Sequence, residues 1–400
     1  MITMRGHPLI KWNVILVTFG VALWVMSVPI PASAIDLGGV TVTPFGGYTG
    51  EYDDNVFRAP RGQRKDDYIN TMFLGVGIEA NPEKKHEVKA GYKYEHLWYS
   101  NNNQLDAPRH DAYLNFVLNF NRAQFRFNEH FRRTNEFPTS EITAYIPRNE
   151  NNLGGGFDFD MAQIWGVGFD YNWEYQNYLG TSLNNLDRNR QTFAPNVYYK
   201  ISGKTRAFLE YNYAHEIYDT DKTRDNFEHR VLVGLRGDLT ERFSLTGKMG
   251  WQGLYYQSTV FSDTNAFVFD IAADYNPVER LGLNATLKRY TEPSVFGPNG
   301  HYDYLVWIFS ATYNLTPKIS VIPRLTFGWS QYPKGVANPS AGNAIEKRDD
   351  LDLGAGVGFR WDPVKWAKVE LNYDFTSRSS NFSAFEYLDN RVYFTIGGQM

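Results

Sequence analysis

The chain contains no cysteine in its 400 residues, which excludes disulfides, thiolate metal centres, cysteine nucleophiles and a lipid-modified cysteine anchor in one step. Beyond the N-terminal segment no stretch approaches the ~20 consecutive apolar residues of a spanning helix. Helical periodicity is nearly missing as well. The net charge of -4 is small and mixed in sign, so nothing points to nucleic acid as a partner. His86, His96, His110, His130, His215, His229 and His301 are scattered without metal-ligand spacing, and no serine, histidine and acid trio stands out. No catalytic, cofactor-binding or metal residue is assigned on these grounds, and an enzyme is not expected. Phosphate-cradling glycine loops are lacking too: Gly154-Gly155-Gly156 and Gly354, Gly356 and Gly358 lie in strand patterns, where glycine marks bends or tight packing.

What the chain does have is alternation. From Trp165 to Asn177 one face is Trp165, Val167, Phe169, Tyr171, Trp173 and Tyr175, and the other is Gly166, Gly168, Asp170, Asn172, Glu174 and Gln176. Period two puts successive side chains on opposite sides of a strand. The same dyad returns in Val88, Ala90, Tyr92, Tyr94 and Trp98 against Glu87, Lys89, Lys93 and Glu95, and in Ala367, Val369, Leu371, Tyr373 and Phe375 against Lys368, Glu370, Asn372, Asp374 and Thr376. About eighteen such strands follow one another, each long enough for a tilted membrane strand of ~9 to 11 residues. An all-β fold is predicted: a transmembrane antiparallel up-and-down β-barrel with apolar residues toward lipid and polar ones toward the lumen. Every backbone group is then paired within a closed sheet, as lipid requires.

Short turns, such as Asn81 to Lys85, Ser202-Gly203-Lys204 and Asp362 to Lys365, alternate with longer polar stretches, such as Asn101 to His110, Asn135 to Glu150 and Pro333 to Lys347. That asymmetry places the short turns in the periplasm and the long loops outside the cell. Ahead of the barrel, Arg5 and Lys11 precede an apolar run from Val14 to Val28 and a small-residue site at Ala32-Ser33-Ala34. Residues 1–34 read as a secretory signal peptide and 35–400 as an outer-membrane barrel in a Gram-negative envelope.

A barrel of that size encloses an aqueous lumen. Its predicted lining carries both signs: Lys89, Lys93, Arg126, Arg132, Arg206, Arg230, Arg236, Arg324 and Arg360, with Glu95, Asp170, Glu174, Glu210, Asp270, Asp274 and Asp374. Interleaved signs suit an uncharged or weakly charged hydrophilic solute, whereas rings of one sign select ions. Tyr113, Phe208, Tyr256, Tyr290 and Tyr393 interrupt the polar face, as strand-packing residues or as platforms for sugar rings. Asn135 to Glu150 and Pro333 to Lys347 are the longest candidate gates.

One short motif is distinctive. Tyr52-Asp53-Asp54-Asn55-Val56-Phe57-Arg58, with the strand start Val40-Thr41-Val42-Thr43-Pro44, resembles a family of outer-membrane β-barrel porins associated with exopolysaccharide synthesis and export. The resemblance implies a final passage for a secreted polysaccharide, with the polymer and a periplasmic export protein as partners beside the membrane lipid. The alternative is a general diffusion porin for small hydrophilic solutes. Glu51, Asp53, Asp54 and Asn55 offer oxygen donors to calcium, while a loop-opening Asp-Asn turn is the commoner use of such residues.

Overall fold

A computed structural model describes residues 35–142, 144–180 and 183–399; the expected signal segment lies outside them. A two-residue strand, β1 (Ile35–Asp36), leads into β2 (Val40–Asp53), β3 (Asp67–Ala80), β4 (Glu87–Tyr99), β5 (Ala107–Asn119), β6 (Ala123–Thr134) and β7 (Arg148–Asp160). Then come β8 (Trp165–Tyr178), β9 (Arg188–Lys200), β10 (Thr205–Tyr218), β11 (Asn226–Thr240), β12 (Phe243–Tyr256) and β13 (Thr264–Val278). The chain ends with β14 (Leu281–Pro293), β15 (His301–Thr316), β16 (Ile319–Asn338), β17 (Ala344–Val364), β18 (Ala367–Ser380) and β19 (Tyr387–Gln399). From β2 onward each strand pairs antiparallel with the next, and β19 returns to β2 with Arg391 opposite Asp53 and Gln399 opposite Phe45. The eighteen strands therefore close into a barrel without an edge.

The alternating pattern explains why these segments are strands and which way they face. Phe125, Phe157, Phe169, Phe193 and Tyr213, one from each of β6 to β10, form a row of ring contacts with neighbouring centroids 6.2 to 6.5 Å apart. They share their face with exposed Leu209, Val233, Phe267, Trp307 and Leu325. Apolar exposure on that scale is stable only against hydrocarbon. His110 and His229 also lie on this face, each hydrogen-bonded through Nδ1 to a tyrosine hydroxyl, Tyr92 at 2.8 Å and Tyr211 at 2.6 Å.

Connections of two to six residues alternate with connections of five to thirteen. Several strands run further than the polarity of their ends predicts. The stretch expected to be a loop from Pro333 to Lys347 is mostly ladder, with Gly335 opposite Lys347 and Asn338 opposite Ala344. Outside the bilayer a ladder needs backbone partners, not apolar side chains, and Gly342 and Asn343 at φ of 65° and 66° close the tip. This segment is a standing hairpin and not the inward gate expected of it. A peptide tag inserted after Ala341 is expected to be labelled on intact cells, and one at Pro82–Lys84 only after permeabilisation; the reverse pattern would invert the orientation.

Candidate solute passage

Arg206 on β10 reaches Asp158 on β7 at 3.1 Å, across the two intervening strands. Side chains converge in that way only on the concave side of a curved sheet, so this face is the interior. Register carries the same face round the wall: Arg126 opposes Gly156, which opposes Asp170, and Arg206 opposes Arg236. The structure places every charged residue of the expected lining on this face, most of them in pairs. Lys93 meets Glu95 at 3.0 Å, Arg126 meets both Asp158 and Asp170 at 2.9 Å, and Arg132 meets Glu136 at 2.9 Å. Lys248 holds Glu210 at 2.9 Å, Glu228 holds Arg230 at 2.5 Å, Lys288 holds Asp270 at 3.3 Å and Arg324 holds Asp374 at 2.9 Å. Arg360 pairs with Asp362 at 3.3 Å and Lys89 with Glu87 at 3.9 Å. Glu174 and Asp274 accept from Asn172 and Asn284, and Arg236 lies 5.6 Å over the Phe208 ring. Exposed pairs of this kind contribute about 0–1 kcal/mol each, so the ladder holds the barrel and the pairs dress its wall.

Glycines let these charges lie flat. At Gly156 an added Cβ would run into Asp170 and Arg126, and at Gly356 and Gly358 into Asp374, Asn372 and Arg324. Tyr113, Phe208, Tyr256, Tyr290 and Tyr393 share the inner face by register. Tyr113 packs over Gly91, and Phe208 over Gly234. This is strand packing, and Tyr393 in addition donates to Asp374 at 2.9 Å.

The loop from 135 to 147 does not stand outward. It leaves β6, crosses the extracellular mouth and is fastened on the far side. Ser294 Oγ donates to Glu141 Oε1 at 2.6 Å, and the Val295 amide donates to Oε2 at 3.0 Å; both belong to the β14–β15 connection, eight strands round the barrel. On a second side Arg378 of β18 donates through Nη1 to the Ser140 carbonyl at 2.6 Å. On a third, Ile142 and Ile146 pack with Tyr178, Leu186, Tyr218 and Val295. Tyr145 meets Tyr99 edge-on at 6.0 Å, and Arg58 lies over Phe137 at 4.5 Å. Burial pushes the Glu141 carboxyl above its usual range, against the lowering effect of Ser294 and Val295. The loop is a strap across the lumen.

The sequence reading missed part of the inner wall. Arg190 holds Glu216 at 2.9 Å and Glu228 at 3.1 Å, Arg378 holds Asp352 at 2.7 Å, and buried Arg348 holds Asp350 at 2.5 Å between the rings of Phe296, Tyr332 and Phe385. These arginines stand just beside the polar stretches read as loops, in β9, β17 and β18. The signal was parity: Arg190 is two residues from inward Thr192, and Arg348 two from inward Asp350. In the Tyr52 to Asn55 motif, Tyr52 faces outward against Tyr68, with ring centroids 5.0 Å apart. Asn55 is fully engaged: Nδ2 donates to the carbonyls of Ala59 and Leu388, both at 2.9 Å, and Oδ1 accepts from the Ala59 amide at 2.9 Å. It staples the first loop to the last strand. Glu51 lies lower on the inner wall, opposite Tyr393.

A closed barrel with an aromatic outer belt, a charged inner wall and an inward loop is the build of an outer-membrane porin. The chain belongs to the family described as Putative beta-barrel porin 2, whose model matches residues 28–400. Among solved structures it is similar to a BenF-like porin from Pseudomonas fluorescens Pf-5, at 11% identity over 91% of this chain and 100% of that one, with a TM-score of 0.52. It is also similar to the outer membrane protein opdK from Pseudomonas aeruginosa, at 10% identity over 90% and 99% of the two chains, with a TM-score of 0.46. The likeness to the BenF-like porin shows a shared fold alone. No curated protein matches the chain. The exopolysaccharide association implied by the motif has no counterpart in these comparisons.

Proposed function

We propose that this outer-membrane barrel is a diffusion porin for small hydrophilic solutes, in place of the polysaccharide passage that the motif implied. The strap from 135 to 147 carries the reading. It is bound at Glu141 and Ser140 to the far wall, so it lies across the mouth and narrows the way in, which suits single small molecules better than a hydrated polymer. Solute entering beside the strap meets a wall on which Lys93 and Glu95, Arg126 and Asp170, and Arg324 and Asp374 neutralise one another in pairs. Such a lining attracts neither sign strongly and offers hydrogen bonds to hydroxylated solutes. The residues of the expected lining are read here as that wall, with the membrane lipid as the standing partner outside. No cofactor or periplasmic protein enters the proposal.

Osmotic swelling of proteoliposomes tests it. Swelling in isotonic monosaccharide or disaccharide and none in dextran is the expected result, together with slowed sugar uptake and unchanged surface polysaccharide in a deletion strain. Loss of surface polysaccharide with normal sugar uptake would restore the polymer passage.

A further inference from the structure

Where the last strand meets the first, the ladder stops at Arg391 opposite Asp53. Beyond that point Asp54 joins β2 to β19: its amide donates to the Asn390 carbonyl at 3.1 Å, and its Oδ1 and Oδ2 accept from the Asn390 amide and side chain at 2.8 and 2.7 Å. This folds Asp54 toward Asp53 and Asp389, and one carboxylate oxygen from each of the three lies within 4.8 Å of the others. Asp53 is 4% exposed and Asp389 2%.

The second observation is an orphan atom. Asp389 Oδ2 accepts from Thr376 Oγ1 at 3.4 Å and stands 3.7 Å from Arg391 Nε, whereas Asp389 Oδ1 is buried with no hydrogen-bond partner. A buried carboxylate oxygen with no donor keeps its desolvation cost unrepaid and calls for a proton or a cation. Three converging carboxylates carry more negative charge than one proton and the Arg391 guanidinium neutralise between them. Oxygens bound to a single calcium at ~2.4 Å can be up to ~4.8 Å apart, and the three oxygens here lie within that limit of one another. The site faces the outside of the cell, where weak calcium modules with Kd of ~10⁻⁴–10⁻³ M are of use.

We propose that Asp53, Asp54 and Asp389 form a calcium site that clasps the first and last strands together at the extracellular rim. Of the donors that the motif offered, only Asp53 and Asp54 take part; Asp389, far along the chain, replaces Glu51 and Asn55. Arg58, in the same loop with a left-handed backbone at φ 48°, lies 4.5 Å over Phe137 of the strap and 5.4 Å over Tyr387. The clasp thus sits at the foot of the contact that steadies the strap.

The test uses the full barrel refolded into detergent and stripped with chelator, so that no lipid headgroup supplies the metal site. Terbium is added and its tyrosine-sensitised emission is followed while calcium competes. One saturable site per barrel is expected, weakened at least tenfold in Asp389→Asn and in Asp53→Asn, with Asp54→Asn as a third variant should a buried change prevent folding. Heat-modifiable mobility reports folding in each sample. A folded wild-type barrel without saturable emission overturns the proposal, as does undiminished binding in all three variants. Asparagine variants that gain thermal stability over a wild-type barrel insensitive to calcium would identify a shared proton instead, and that too overturns it.

Discussion

Excision of residues 138–145 is expected to raise the single-channel conductance severalfold and to let through oligosaccharides that the intact barrel excludes. The deletion removes Ser140 and Glu141, and with them the bonds to Arg378 and to Ser294 and Val295 on the opposite wall. It leaves the barrel itself intact. Adjacent strands are only about 4.8 Å apart, so the five remaining residues still join β6 to β7, and shortening a flexible loop to that extent changes closure entropy by only about 0.9 kcal/mol. Planar-bilayer recording of wild type and deletion under the same salt measures the effect. The point variant Glu141→Ala strands the Ser294 hydroxyl and the Val295 amide without their acceptor and is expected to give flickering steps between the two levels. Equal conductance in wild type and deletion would mean that the strap lies beside the flow.

The second large effect separates the two faces. Phe169→Arg puts a guanidinium among Phe157 and Phe193, at 6.2 and 6.5 Å in the outer row of rings. Arginine on the lipid face near the midplane costs about 2–4 kcal/mol, a factor of roughly 30 to 1,000 in the folded fraction. Asn172→Arg, three residues on, points inward beside Glu174, to which Asn172 already donates at 2.7 Å, and is expected to fold at wild-type yield. Refolding into detergent with a heat-modifiability readout compares them. Equal yields would contradict the register of β8.

Those two positions show what was legible in the sequence. Facing is a local property: alternation over Trp165 to Gln176 fixes which side of the sheet each residue takes, and the charged lining of the inner wall follows by parity alone. The loops obey no period. Nothing in Thr139-Ser140-Glu141 announces that its partners are Ser294 and Arg378, because that pairing arises only once the sheet has curved through half a turn. Asp389 is hidden for a related reason, since its neighbour Asp53 is brought to it by closure of the ring. Pro333 to Lys347 misled in the other direction: polar, proline- and glycine-bearing residues read as loop, yet above the bilayer they pair as well as any strand.

The row of glycines beneath Arg324 and Asp374 has a consequence for the bore. A pore is usually thought of as narrowed by what projects into it, but here the Asp374 carboxylate and the Arg324 guanidinium lie close over Gly356 and Gly358. Along that stripe the clearance left for solute is set by the side chains that β17 does not have. Along β17 the wall keeps its charge without giving up width.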